Sequence, residues 1–252
     1  MTTLKKTVVS AVFLHILSFS FLIGQNQRNI ENKAFNVGEK LTFSIGWEFI
    51  DAGTAVLCIE DIKEIDNKPC FHISAVTNSN AFFSTMYKVR DKLESFVDTA
   101  GIYPLKYTKK TYEGGYQRSF TVFFDHESQK AKISDVDSGQ SEIKIPQYLQ
   151  DIISSFYFVR TQPMVEGSDI RLSVFDNGRY KDVIIKVIRK EHISVSAGEF
   201  DCILVQTPVG PFNNKSNLNI WLTDDARRIP VLMKSKIIIG SVRAELESIS
   251  KN

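Results

Sequence analysis

The chain has 252 residues, of which 43% are hydrophobic and 18 are phenylalanine, and this composition is sufficient for a substantial core. Its formal net charge of +2 is accounted for by Lys5 and Lys6, so basic and acidic residues balance in the remainder. This balance argues against a nucleic-acid or anionic-membrane partner that is held by net charge alone.

The first 24 residues have the layout of a secretory signal. Lys5 and Lys6 precede an apolar run over 8–23, interrupted by His15 and Ser18, that is short for a membrane span. We therefore expect export to the periplasm, with cleavage at a bond that the sequence leaves open. The mature protein is expected to be soluble, or peripheral to a membrane at most, and to work without a supply of nucleotide cofactors.

The remainder is predicted to contain a flexible leader over residues 25–36 and a single β-rich domain over residues 37–252. From Leu41 to Phe49, bulky apolar residues alternate with small or polar ones, which is typical of a half-buried strand. A turn is predicted at 51–53.

Further strands follow at short, fairly regular intervals. Two hairpins have clear turn signals, at Gly114-Gly115 and at Asn177-Gly178, where residues that tolerate positive φ connect two alternating runs. About a dozen strands are more than a flat sheet accommodates, so we expect the sheet to curl. The predicted strands are 54–62, 70–77, 87–97, 103–112, 116–124, 169–175, 179–189, 192–195, 200–207, 218–222, 231–236 and 237–249.

One segment departs from the strand pattern. Over 146–160 the apolar residues recur at steps of three and four, and Pro146 suits a first helical turn. The predicted fold is all-β with one main helix: a strongly curved antiparallel meander sheet, or open barrel, that wraps a single amphipathic helix near 146–160. The helix either fills the concave side or forms one wall of a cavity there.

Cysteine and histidine residues give no sign of a metal site. Cys58, Cys70 and Cys202 all lie in apolar, strand-like runs, where buried free thiols are favoured over a Cys58–Cys70 disulfide, although the bridge stays open. None of the mature chain's three histidines has a second histidine at ligand spacing, so no metal ligand is predicted.

Catalytic motifs are also missing from the sequence. It contains neither a strand-to-helix serine elbow nor a glycine-rich phosphate loop, and we predict no catalytic residue and no cofactor. Paired carboxylates could support glycoside hydrolysis, but acidic residues beside turns more often cap backbone groups. The candidate pairs are Glu48 with Asp51, Asp91 with Asp98, and Asp224 with Asp225.

The helix and one loop provide the candidate contact residues. Asp151 and Arg160 lie at opposite ends of the helical segment, where they complement the helix dipole or hold a ligand or a strand, and Tyr157 lies between them. Phe82 and Phe83 lie in a loop rich in asparagine and serine, where core packing explains them poorly. We predict these five residues as ligand or partner contacts.

Several segments, spread in order over nearly the whole mature chain, carry a family resemblance. They are residues 37–45 (VGEKLTFSI), 51–55 (DAGTA), 91–98, 104–107 (PLKY), 150–160 (QDIISSFYFVR), 197–200 (AGEF) and 220–231. They resemble the exported envelope-protein family known as domain of unknown function 3108. The resemblance implies a Gram-negative, periplasm-facing protein of the Bacteroidetes type with an antiparallel sheet, and it implies no activity, cofactor or catalytic residue.

Three functional hypotheses follow. The first is a non-enzymatic periplasmic protein that binds a lipid, a lipoprotein or an envelope protein in or on the curved sheet, by analogy with half-barrel lipid carriers. The second is a glycan-acting hydrolase that uses two carboxylates. The third is a structural protein that docks through a sheet edge or the Phe82-Phe83 loop. An enzyme is the less favoured class, and the oligomeric state stays open.

Overall fold

Fourteen antiparallel strands form a single sheet in this computed structural model, which describes residues 28–207, 217–236 and 240–251. The predicted signal over 1–24 lies outside these ranges. The strands are β1 (Glu39–Trp47), β2 (Ile50–Ile65), β3 (Lys68–Ser79), β4 (Arg90–Asp98), β5 (Pro104–Glu113), β6 (Tyr116–Asp125), β7 (Lys130–Asp135), β8 (Gly139–Lys144), β9 (Asp169–Asp176), β10 (Arg179–Val195), β11 (Gly198–Thr207), β12 (Leu218–Thr223), β13 (Pro230–Lys236) and β14 (Ser241–Lys251).

The sheet is strongly curved but not closed, which confirms the predicted fold class. Its strand order runs from β8 through β1 to β14 and on to β9, so β8 and β9 are the edges. Phe120 and Phe124 of β6 pack on Phe175 of β9, with ring centroids 6.3 and 5.7 Å apart. Gln150 adds backbone hydrogen bonds to β9, donating to the Ser173 carbonyl at 2.9 Å. Side chains of β6 and the segment between β8 and α1 thus connect β9 to the opposite half of the sheet.

The predicted helix is present but shorter than expected: α1 covers Ile152–Arg160. The helix begins later than predicted for two reasons. Tyr148 lies in a turn with a φ of 59°, and the backbone of Gln150 pairs with β9. The Asp151 side chain then caps the helix by accepting from the Ser154 amide. Pro146 therefore lies in the segment that connects β8 to α1, and not in the first helical turn.

The concave side of the sheet is filled around α1. Ile153, Tyr157, Phe158 and Val159 are buried in one continuous hydrophobic cluster with residues of most strands. Among the strand residues of this cluster are Ile59, Ile73, Val97, Val122, Phe175, Val187 and Val205. The sequence left two roles open for the helix, which were to fill the concave side or to form one wall of a cavity. Its buried face is part of the core, which corresponds to the first role.

The turn predicted at 51–53 is wrong. These residues belong to β2, and the chain turns earlier, at Glu48, which has a φ of 51°. Gly53 sits where a Cβ would lie 2.1 Å from the Asn78 carbonyl oxygen of β3, so it serves close strand approach instead of a turn. Because β1 ends at Trp47, Phe49 does not continue the buried face and is 96% exposed.

The described part of the predicted leader, residues 28–36, is packed against the domain instead of loosely held. Ala34 and Phe35 are buried, and the Phe35 ring packs edge-on against Tyr157 at 4.7 Å. The Arg28 guanidinium donates to the Gly101 and Ile102 carbonyls. This segment and α1 together cover one end of the curved sheet.

The opposite end of the sheet carries the turns that follow β1, β3, β5, β7 and β9, because successive antiparallel strands alternate in direction. We call it the turn end. In the part of the chain described, no helix combines the length and hydropathy that a bilayer span requires.

Other sequence predictions agree with the structure or differ in detail. All three cysteines are buried and unbridged, as favoured. The strands predicted over 179–189 and 192–195 are one strand, β10, with an irregularity in its pairing near Val187. Both β7 and β8 form strands where none had been delimited.

Candidate functional site

Asp151 lies completely buried at the start of α1. One carboxylate oxygen accepts from the Ser154 amide at 2.8 Å, and the other accepts from the Ser95 hydroxyl of β4 at 2.6 Å. Burial raises the pKa of this carboxyl to about 6, although these hydrogen bonds oppose the rise. Asp151 therefore connects α1 to β4 and has a pKa of about 6, well above that of an exposed aspartate.

Arg160 lies at the other end of α1 and is 2% exposed. Its guanidinium makes a bidentate ion pair with Glu39 of β1, at 2.6 and 2.7 Å, and donates to the Ala34 and Arg227 carbonyls. The planar donor fork of arginine suits such a set of acceptors. One side chain thus connects the helix, the first strand, the leader and the turn before β13.

Tyr157 and Tyr107 place hydroxyl groups in the core. Both residues are at most 1% exposed, and neither hydroxyl has a hydrogen-bond partner among the described residues. Burial raises the pKa of both, and the nearby Asp151 carboxylate adds to the rise at Tyr107. Tyr107 lies directly opposite Ser95 in the β4–β5 pair, so the two share the Asp151 surroundings.

Sequence reasoning missed Ser95 and Glu39, the partners of the two charged helix residues. Ser95 had a usable signal, because it interrupts the apolar alternation of Leu93 and Val97 on the concave face of β4. Glu39 had no local signal, since its partner is far away in the sequence.

Phe82 and Phe83 differ in their surroundings. Phe83 begins a 3₁₀ turn, Phe83–Thr85, and its ring is half-buried against Trp47 at a centroid distance of 6.1 Å. Phe82 is 64% exposed. The predicted contact loop therefore presents one phenylalanine to solvent and anchors the other.

Exposed apolar side chains are found on four successive turns of the turn end. Phe49 follows β1, Phe82 and Met86 follow β3, Tyr116 follows the β5–β6 turn, and Val136 follows β7. Their exposed fractions run from 57% for Tyr116 to 96% for Phe49. We call these five residues the apolar rim.

The predicted carboxylate pairs are engaged in local interactions. Asp98 accepts from the Ala100 and Gly101 amides, and Asp225 accepts from the Arg227 and Arg228 amides. Asp224 is ion-paired with Lys190 and Arg228. These contacts correspond to the turn-capping interpretation.

Asp91 and Asp98 lie at opposite ends of β4 and do not face each other. Asp91 instead accepts from the Tyr112 amide at 3.0 Å, and burial raises its pKa to about 6, with Glu113 adding to the rise.

The three histidines of the described ranges have protein partners. His72 contacts Glu94 and Asp61, the buried His126 ring contacts the Pro104 carbonyl, and His192 pairs with Asp201. Within the described ranges, no group of three or more His, Cys, Asp or Glu residues is arranged to hold a metal ion.

A sequence model of the family described as "Protein of unknown function (DUF3108)" matches residues 42–247. The chain belongs to this family. The match covers both helix ends and the whole turn end, and the family's description names no activity. No curated protein matches the chain.

Solved structures are similar to the chain in fold. A β-barrel-like protein of domain of unknown function DUF1849 from Brucella abortus is 10% identical, with a TM-score of 0.58 over 87% of this chain and 99% of that one. An exported protein with YmcC-like fold, so described, from Bacteroides fragilis is 12% identical, with a TM-score of 0.34 over 88% of this chain and 100% of that one. At 10% identity the likeness to the first of these structures concerns the fold alone, and the second, at its lower TM-score, supports no conclusion about this chain.

Proposed function

We propose that this protein is an exported, non-catalytic component of the cell envelope that attaches peripherally to a lipid surface through its apolar rim. The observation that carries the proposal is the concentration of five exposed apolar side chains on the turns of one end of the sheet. The four turns are neighbours at one end of the sheet, and several exposed apolar groups on one face are typical of an interaction site.

The close packing around α1 favours the apolar rim as the contact site and argues against a ligand that is held beside the helix. Tyr157, Asp151 and Arg160, three of the predicted contact residues, are at most 2% exposed and are packed against or bonded to the sheet and the leader. These contacts favour a role in holding α1 in place. Phe82 is the predicted contact residue that remains available to a partner.

The shape of the rim favours a broad surface as the partner. Its residues stand on separate hairpin turns, so they form a row of projecting side chains instead of a groove that would enclose one molecule. Aromatic and apolar side chains at loop tips can enter the boundary between lipid headgroups and acyl chains, with the sheet remaining in water.

The test is flotation with phospholipid vesicles. Protein is purified without detergent from the periplasmic fraction of expressing cells, and wild type is compared with a Phe49→Ser, Phe82→Ser double variant. We expect the variant to lower vesicle partitioning by at least about 100-fold, because burying each of the two phenylalanines contributes roughly 1.5–3 kcal/mol and about 1.4 kcal/mol is a factor of ten.

The matched control is an Ile62→Ser, Val165→Ser double variant, which removes two side chains that are 45% and 66% exposed outside the rim. It should bind vesicles like wild type, and any contribution from residues 1–27 is common to all of these proteins. Failure of wild type to float with any vesicle, or equal loss in both double variants, would contradict the proposal.

A further inference from the structure

A cleft opens beside the apolar rim, between the ends of β4, β5 and β6 and the turn that follows β7. It has a volume of about 290 Å³ and is open to solvent. Val136 belongs both to the rim and to the lining of this cleft. A molecule that touches the rim at Val136 can therefore also reach into the cleft.

The lining combines positive charge with hydrogen-bonding groups. Arg90 and Lys110 contribute exposed cations, and Tyr112, Gln117 and Ser119 contribute polar side chains. The Lys88 ammonium lies 5.9 Å from the centre of the Tyr112 ring, which brings a third cation to the border of the cleft.

These three cations are not neutralised by ion pairs. Among the salt bridges of the described residues, none involves Lys88, Arg90 or Lys110, whereas Arg118, which also lines the cleft, is paired with Asp135 at 3.1 Å. One carboxylate, Asp137, is present in the lining. The cleft therefore carries local positive charge although the mature chain is balanced as a whole.

Arginine, lysine and hydroxyl donors around an open cleft are the groups that proteins use for phosphate. An anionic phospholipid has a phosphate at the depth where residues at loop tips enter the interface, and basic residues near such a surface are attracted to it. The positive charge of the cleft thus complements the phosphate layer of a lipid surface. The apolar rim complements the acyl layer directly beneath it.

We infer that the cleft lined by Arg90, Lys110 and Tyr112 binds the phosphate of an anionic phospholipid headgroup while the apolar rim contacts the acyl region. This inference rests on the proposed attachment to lipid and assigns its headgroup preference to named residues. The balance of total charge argues against attachment by charge alone, and the apolar rim supplies an additional, uncharged contact.

The experiment compares vesicles of phosphatidylcholine with vesicles that contain 30% phosphatidylglycerol, for wild type and an Arg90→Gln, Lys110→Gln double variant. Each cation near an anionic surface contributes about 1 kcal/mol, or about five-fold, so the variant should lose roughly 25-fold in partitioning to the anionic vesicles. Its weaker binding to phosphatidylcholine should match wild type, because the rim is intact.

The control variant is Lys132→Gln with Lys144→Gln, which removes two exposed charges from β7 and β8 away from the turn end. This variant should keep most of the wild-type preference for anionic vesicles over phosphatidylcholine vesicles. Equal binding of wild type to both vesicle types, or an equal loss in both charge variants, would overturn the headgroup site and leave the rim standing.

A soluble arm identifies the source of the phosphate. Glycerol 3-phosphate at millimolar concentration should shift the amide resonances of Lys110 and Ser119 only weakly, and anionic vesicles should compete with it. Tight binding of the soluble phosphate without competition by vesicles would replace the headgroup assignment by a small-molecule site. Absence of all vesicle binding would instead remove the proposed function itself.

Discussion

The two ends of α1 bury opposite charges in different ways. At its C-terminal end, Arg160 meets a carboxylate, Glu39, in a bidentate pair and two further carbonyl acceptors. At its N-terminal end, Asp151 meets hydroxyl and amide donors, and among the described residues no lysine or arginine pairs with it. The helix is therefore held by an ion pair at one end and by neutral donors at the other.

The difference teaches how burial is compensated in each case. A buried ion pair retains its charges because each one offsets the desolvation of the other. At Asp151 the hydrogen bonds offset only part of the desolvation, so the pKa rises and the proton is retained up to about pH 6. The ends of α1 should consequently respond differently to mutation and to pH.

Arg160→Met breaks the ion-paired end and should have the largest effect. It leaves the Glu39 carboxylate, whose side chain is 12% exposed, without its cation, and we expect a loss of up to about 3–5 kcal/mol of the free energy of unfolding, which urea denaturation measures. Arg171→Met is the control, because Arg171 pairs with Asp169 at the surface and should cost less than about 1 kcal/mol. Similar losses in the two variants would show that the Arg160–Glu39 pair contributes no more to the free energy of unfolding than a surface pair.

Asp151→Asn tests the other end through pH. The folded-state pKa of about 6 exceeds the ordinary value of 3.8, so the contribution of Asp151 to the free energy of unfolding should fall as pH rises from about 4 to about 6. The fall is at most about 3 kcal/mol, from roughly two pKa units at about 1.4 kcal/mol each. The variant retains a capping oxygen and should lack this fall.

Asp135→Asn provides a control of opposite sign. The Ser138 and Asp137 amides lower the pKa of Asp135, so its ionised form stabilises the fold, and this contribution is lost as pH falls through that lowered pKa. Unfolding curves recorded from pH 3 to pH 8 should separate the two variants. An Asp151→Asn profile parallel to that of wild type would contradict the raised pKa.

Tyr107→Phe should have the smallest effect. Its hydroxyl is buried without a partner, so its removal is expected to change the free energy of unfolding by less than about 1 kcal/mol, or to increase it. Tyr148→Phe is the matched control, because the Tyr148 hydroxyl accepts from the Arg28 amide at 3.0 Å and its loss should cost about 1 kcal/mol. A larger loss at Tyr107 would reveal a partner for its hydroxyl.

Local patterns in the sequence predicted most of the sheet. Alternation located most strands, and the Asn177-Gly178 signal identified a hairpin, since both depend on residues close together in the chain. The same local reasoning placed Phe49 in a buried row, because alternation does not reveal where a strand ends. It also started the helix at Pro146, although pairing of Gln150 with β9 delays the start.

The candidate site was predicted less completely. The charged ends of the helix were recognised as unusual, but Glu39 and Ser95 come from strands that only the folded sheet brings to them. The apolar rim likewise assembles from four turns, of which one, the Phe82-Phe83 loop, was identified. Long-range placement, and not residue type, was the missing information.

The position of β1 beside β14 has a consequence for how the molecule forms. The two strands join the halves of the sheet at its middle, with Glu39 opposite Lys251, so the halves remain separate until β14 has been delivered. Contacts of such high sequence separation are expected to form slowly. Because β14 is the last of the described strands in chain order, the sheet is completed only after all of its other strands have been synthesised.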